Sequence, residues 1–164
     1  APLLALALGR GQAHVLDRDA GGARPADLAG YRAVAHNLRL IRAVGGRGAS
    51  VWSWRKTRRW SEAAVAQDRD GRLLLLFNRA PLSMPELNRL YLALPLGIVR
   101  AMHMEGGPEA SLSIDAGGVR LHLCGGFETG FMPDDSNAVQ WPLPNVLAVA
   151  RPARPPRATP RRRR

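Results

Sequence analysis

The stretch from Ala63 to Phe77 constrains the fold more than any other part of this chain. Two apolar runs, Ala63–Ala66 and Arg72–Phe77, flank Asp68-Arg69-Asp70-Gly71. An Asp-Gly step reverses an extended chain readily, so the segment predicts an antiparallel hairpin. The second run is continuously apolar from Leu73 to Phe77, which predicts a central strand covered on both faces. The same grammar recurs elsewhere. Leu3–Leu8 and Ala13–Leu16 read as strands joined at Gly9-Arg10-Gly11. Ala110–Ile114 and Val119–Cys124 read as a hairpin across Asp115-Ala116-Gly117-Gly118, with Val119, Leu121 and Leu123 on one side. Ile98–Met104 is a further strand and Val146–Ala150 a last short one. Tyr31 to Ile41 is ambiguous: Val34, Leu38 and Ile41 suit a helix, while Leu38 and Leu40 alternate as in a strand.

One helix interrupts this pattern. Ser83-Met84-Pro85-Glu86 is a capping box, with Leu87, Leu90, Tyr91 and Leu94 on one helical face and Pro95 as the stop. The sum is a strand-rich α+β domain over residues 1–150, with a mixed sheet, hairpins and one capped helix. Apolar content of 46% supports a real core, and no apolar segment is long enough to span a bilayer. Leu3–Leu8 lacks a basic flank and is short, so it reads as a buried strand rather than a signal remnant. Cys124 is the only cysteine, which excludes an intrachain disulfide.

The net charge of +11 is largely a property of the C-terminus. Residues 151–164 hold seven arginines and no acid, leaving +4 of the +11 to the rest. This Pro/Arg-rich stretch cannot build a core and reads as a disordered tail. Such a run also suits nucleic acid or anionic lipid. Trp52, Trp54 and Trp60 interleave with Arg55, Lys56, Arg58 and Arg59, a pattern that fits base stacking plus phosphate contact. Core tryptophans explain it equally well, and nucleic acid ranks second as a partner.

The chemistry-bearing feature is Glu105-Gly106-Gly107-Pro108-Glu109-Ala110-Ser111, set between two apolar runs. Glycines turn sharply and expose N–H groups to an anion. Two carboxylates beside such a loop suit acid–base work on a sugar, although spacing alone favours a tight turn with two solvated glutamates. Gly45-Gly46-Arg47-Gly48 reads as a connector rather than a phosphate nest. Gly126-Phe127-Glu128-Thr129-Gly130-Phe131 is a second glycine-framed segment, where Glu128 and Thr129 line a pocket or a bulged turn packs the two phenylalanines. Asp134, Asp135 and Asn137 read as a plain loop. His14, His36, His103 and His122 show no metal spacing, and His103 reads as a packed strand histidine. No metal or cofactor is expected.

Arg59-Trp60-Ser61-Glu62, then Asp70-Gly71-Arg72-Leu73-Leu74-Leu75-Leu76-Phe77, then the Glu-Gly-Gly-Pro-Glu-Ala-Ser loop resemble the phosphodiester glycosidase family, in a bacterial variant. The resemblance covers roughly Tyr31 to Val149, including Trp141-Pro142-Leu143-Pro144-Asn145-Val146 as a closing segment. It implies hydrolysis of a sugar-1-phosphodiester or a related glycosidic link in a glycan. Glu105, Glu109 and Glu62 become the catalytic candidates. Arg39, Arg59, Ser61, Gly106, Gly107, Ser111, Glu128 and Thr129 become substrate contacts, with the two arginines on the phosphate. The resemblance also implies further sequence upstream of Ala1 and a secreted or periplasmic location. A non-catalytic domain for an anionic glycan or nucleic acid is the alternative. Glu105, Glu109, Ser61 and Arg59 are expected to border one pocket.

Overall fold

The computed structural model describes residues 3–9, 11–20, 24–126 and 136–151. Glu128, Thr129, Asp134, Asp135 and the tail from residue 152 onward lie outside them. Nine strands dominate the described residues. β1 (Leu3–Gly9) and β2 (Gln12–Asp17) form the first hairpin, and a single turn, α1 (Pro25–Leu28), follows. β3 (Ala33–Val44) and β4 (Arg47–Ser50) form the second hairpin, which settles the ambiguous segment as a strand. β5 (Arg59–Asp68) and β6 (Leu73–Ser83) form the expected hairpin but run longer than their apolar centres. Helix α2 (Met84–Ala93) leads to β7 (Ile98–Gly106), and β8 (Ser111–Ala116) and β9 (Val119–Cys124) close the order.

The main sheet runs β2-β1-β3-β7-β5-β6, with β4 attached to β3; β8 and β9 form a separate pair. Every pair is antiparallel, which corrects the expectation of a mixed sheet. The reason lies in the connections. Strands β6 and β7 run in the same direction but sit on either side of β5, so the α2 crossover skips a strand. The placement of β6 is a second correction. It is an edge strand, not a central one, and Leu75 is 40% exposed. Its apolar run covers the flank of the core instead.

Side chains alternate across a strand, and the two faces of the sheet build two cores. Trp60, Ala64, Ala66, Ala101, Leu40 and Ile98 pack with Met84, Leu87 and Tyr91 of α2. Val65 and Met102 pack on the other side with Leu4, Leu6 and Val15 of the first hairpin. The Glu86 carboxylate accepts from the Ser83 N–H at 2.9 Å and from the Ser83 hydroxyl at 2.7 Å. The helix is thus capped through its glutamate. Its buried face is Met84, Leu87, Asn88 and Tyr91, whereas Leu90 and Leu94 are each 43% exposed. Asn88 turns inward because its amide donates to the Leu40 carbonyl at 2.7 Å and to Ser50 Oγ at 3.0 Å. That rotation displaces the expected Leu90 and Leu94. The expected last strand, Val146–Ala150, does not form: these residues have no regular structure, and Val146 and Val149 are exposed.

Candidate functional site

Strand register brings the site together. Glu62 on β5 lies opposite Gly106 on β7, and Ala63 lies opposite Glu105, with a bulge before Ala64 meets His103. Bulges re-aim side chains, and here one sits between Glu105 and His103. Glu62 is fully buried. Its carboxylate accepts from the Trp60 indole Nε1 at 3.0 Å and lies 2.7 Å from His103 Nδ1. His103 keeps 12% of its side chain exposed. Nδ1 is engaged by the buried acid, and among the described residues Nε2 has no hydrogen-bond partner.

Burial raises the Glu62 carboxyl above its ordinary range, while His103 and Trp60 pull it back down. Burial also works against charge on His103. The Glu62 carboxylate, and after it Glu105, outweigh that effect, so His103 lies above its ordinary value. The pair therefore retains a proton at a pH where an isolated histidine loses it. Tyr91 of α2 is buried within electrostatic reach of Glu62. Its hydroxyl is held protonated, first by burial and then by the Glu62 charge. Among the described residues that hydroxyl has no hydrogen-bond partner.

Glu105 itself is exposed, and its Oε1 accepts from the Gly106 N–H at 3.1 Å. Gly107, Pro108 and Glu109 form one 3-10 turn, and Ser111 opens β8 opposite Cys124. Glycine is required on this loop. A Cβ at Gly106 would meet Trp60 Cδ1 at 2.6 Å, and Gly107 has φ 71°. A Cβ at Gly125 would stand 2.8 Å from Ser61 Cβ and closer still to the Gly107 carbonyl oxygen. Gly125→Ala is therefore expected to cost about 1–3 kcal/mol, read by chemical denaturation. Gly30→Ala, at a position open on all sides, should be near neutral.

The other expected site residues are distributed as follows. The Ser61 hydroxyl donates to the Arg79 carbonyl at 2.7 Å and accepts from the Gly126 N–H at 3.2 Å. Arg59 reaches Glu86 at 3.0 Å and the Pro81 carbonyl at 3.0 Å. Arg39 is buried, with Nη2 at 2.6 Å from Asp17 and 2.9 Å from Asp19. It lies across the sheet from Glu62, on the side of the first hairpin. Two cavities, of about 550 and 320 Å³, lie at the far end of β5 and β7. Neither is bordered by Glu105, Glu109, Ser61 or Arg59.

Sequence reading gave too little weight to the aromatic wall and to Arg79. Trp52, Trp54 and Trp60 meet one another at ring separations of 5.8, 6.2 and 6.0 Å, and Trp52 meets His103 at 5.8 Å. Arg79 binds the carbonyls of Cys124 and Asn137, and Asn137 in turn donates to the Gly125 carbonyl. This fastens the segment that packs against the Gly107 turn. The tryptophan spacing was a visible signal; nothing local marked Arg79. Among the described residues no helix is long and apolar enough to cross a membrane, and no group of three or more His, Cys, Asp or Glu is set to hold a metal.

A family model described as phosphodiester glycosidase matches residues 8–150 of the chain. No curated protein and no solved structure matches it.

Proposed function

The chain belongs to the phosphodiester glycosidase family, and from that premise we propose that it hydrolyses the C1–O bond of a sugar-1-phosphodiester, of the kind found in a bacterial glycan. The observation that carries the reading is the buried Glu62–His103 hydrogen bond of 2.7 Å, on the strand pair that also bears Glu105. Glu105, exposed on the strand beside Glu62, is the base that takes a proton from water as its oxygen attacks C1. The phosphomonoester leaves with the bridging oxygen. His103, held charged by Glu62, offers its Nε2 proton to that phosphate. Glu62 touches no substrate and acts by orienting His103. Glu109 and Ser111, on the same turn and at its exit, are further contacts. The Gly107 N–H is offered to developing negative charge, while the Gly106 N–H holds the Glu105 carboxylate in place.

The test uses the methyl diester of N-acetylglucosamine-1-phosphate in water enriched in oxygen-18. The expected products are free N-acetylglucosamine carrying the label at C1 and unlabelled methyl phosphate. Label in the phosphate would mean P–O cleavage and would overturn the reading. Binding without any product would favour the alternative, a non-catalytic domain for an anionic glycan.

A further inference from the structure

Of the three clustered tryptophans, two are buried and one is not. Trp52 and Trp60 are 6% and 3% exposed, whereas Trp54 is 47% exposed. Trp52 donates its indole N–H to the Trp54 carbonyl, and Trp60 donates to Glu62. The exposed ring thus packs against two buried rings, one of which donates to Glu62. The Arg55 guanidinium sits 4.6 Å from the Trp54 ring centre. Arg55 has φ 40°, the only positive φ outside glycine among the described residues. Backbone strain of this kind persists where the surroundings impose it, and it is concentrated at functional sites. Arg39 and Arg59 already hold carboxylates. Arg55 has no carboxylate partner among the described residues.

We propose that Trp54 and Arg55 form the subsite for the sugar-1-phosphate half of the substrate, the indole stacking on the pyranose face and the guanidinium pairing with the phosphodiester. This rests on the glycosidase reading above. An exposed indole offers a flat apolar surface, and the C–H face of a pyranose matches it. The Arg55 cation, which lies over that ring, would move onto the phosphate at C1 as the sugar takes its place. Binding along a nucleic-acid strand would require successive exposed rings, but only one of the three is open.

The experiment titrates the full chain with α-glucose-1-phosphate, with methyl α-glucoside and with inorganic phosphate, following heat or chemical-shift change. Trp54→Ala should weaken glucose-1-phosphate about tenfold, and Trp54→Phe, which keeps an aromatic face, should restore most of it. Arg55→Gln should weaken glucose-1-phosphate by a similar factor while leaving methyl glucoside unchanged. Unchanged affinity in both Trp54→Ala and Arg55→Gln overturns the subsite, as does equal binding of a single-stranded oligonucleotide. If the wild type hydrolyses nothing yet Trp54→Ala still loses the sugar phosphate, the subsite stands and the hydrolytic reading falls. If turnover is intact in Trp54→Ala with unchanged KM, the reverse holds.

Discussion

Glu105→Gln is expected to lower turnover on a sugar-1-phosphodiester about 10²–10⁴-fold, the usual contribution of one acid–base group. Its unfolding free energy should stay at the wild-type value. The glutamate is exposed and its hydrogen bond is to the adjacent Gly106 N–H. Glutamine keeps the size and that bond but cannot shuttle a proton. Measuring kcat beside a denaturation curve separates the two effects, and an unchanged kcat would remove Glu105 from the chemistry. Glu62→Gln should behave differently. Glu62 reaches the substrate only through His103, so its loss should also move the pH profile of kcat towards lower pH on the histidine limb.

His103→Leu is expected to destabilise the fold by about 3–5 kcal/mol at neutral pH, because it strands a carboxylate that has no access to water. Glu62 would keep only the Trp60 indole as a partner. The double variant Glu62→Gln with His103→Leu should recover much of the loss, and a cycle built from the four proteins measures the coupling. The pH dependence has a definite sign. His103 is raised in the fold, so its stabilising contribution is complete below its ordinary value of 6.5. It disappears as pH climbs through the raised value. Glu62, also raised, favours the fold most below its ordinary 4.5 and progressively less above it. Without His103, Glu62 loses the partner that lowers it and takes up a proton on acidification. Relief of that buried charge outweighs the histidine contribution lost at low pH, so the penalty of His103→Leu should be smaller near pH 4 than near pH 7. A penalty that grows on acidification would show the histidine contribution to dominate.

What could be read from the sequence was mainly what is local. The Asp-Gly turn, the Ser83–Glu86 cap and the Gly117-Gly118 reversal each act over a few residues, and their elements stand where expected. The edge position of β6 was hidden because an unbroken apolar run looks the same at a sheet centre and over the rim of a core. The twist of α2 depends on the Asn88 amide meeting a carbonyl far along the chain, which no helical periodicity records. The site divides in the same way. Glu105 was named from its glycine loop and Glu62 from motif resemblance, but the partnership of Glu62 with His103 depends on a bulged register between β5 and β7. The arginines were harder. In a chain whose 24 basic residues include a single lysine, nothing local distinguishes the buried Arg39 from the exposed Arg55.

The crossover through α2 also sets an order of events during folding. Glu62 and His103 are 41 residues apart in sequence, and β3 reaches β7 only across the whole β5–β6 hairpin. Hairpins close in microseconds, whereas pairing at this separation must first overcome the entropy of a long loop. The hairpins can therefore form early, while the acid and the histidine meet only when β7 slots between its two neighbours. In a refolding experiment, the tryptophan signal from Trp60 beside Glu62 should arrive with the last phase, together with any activity.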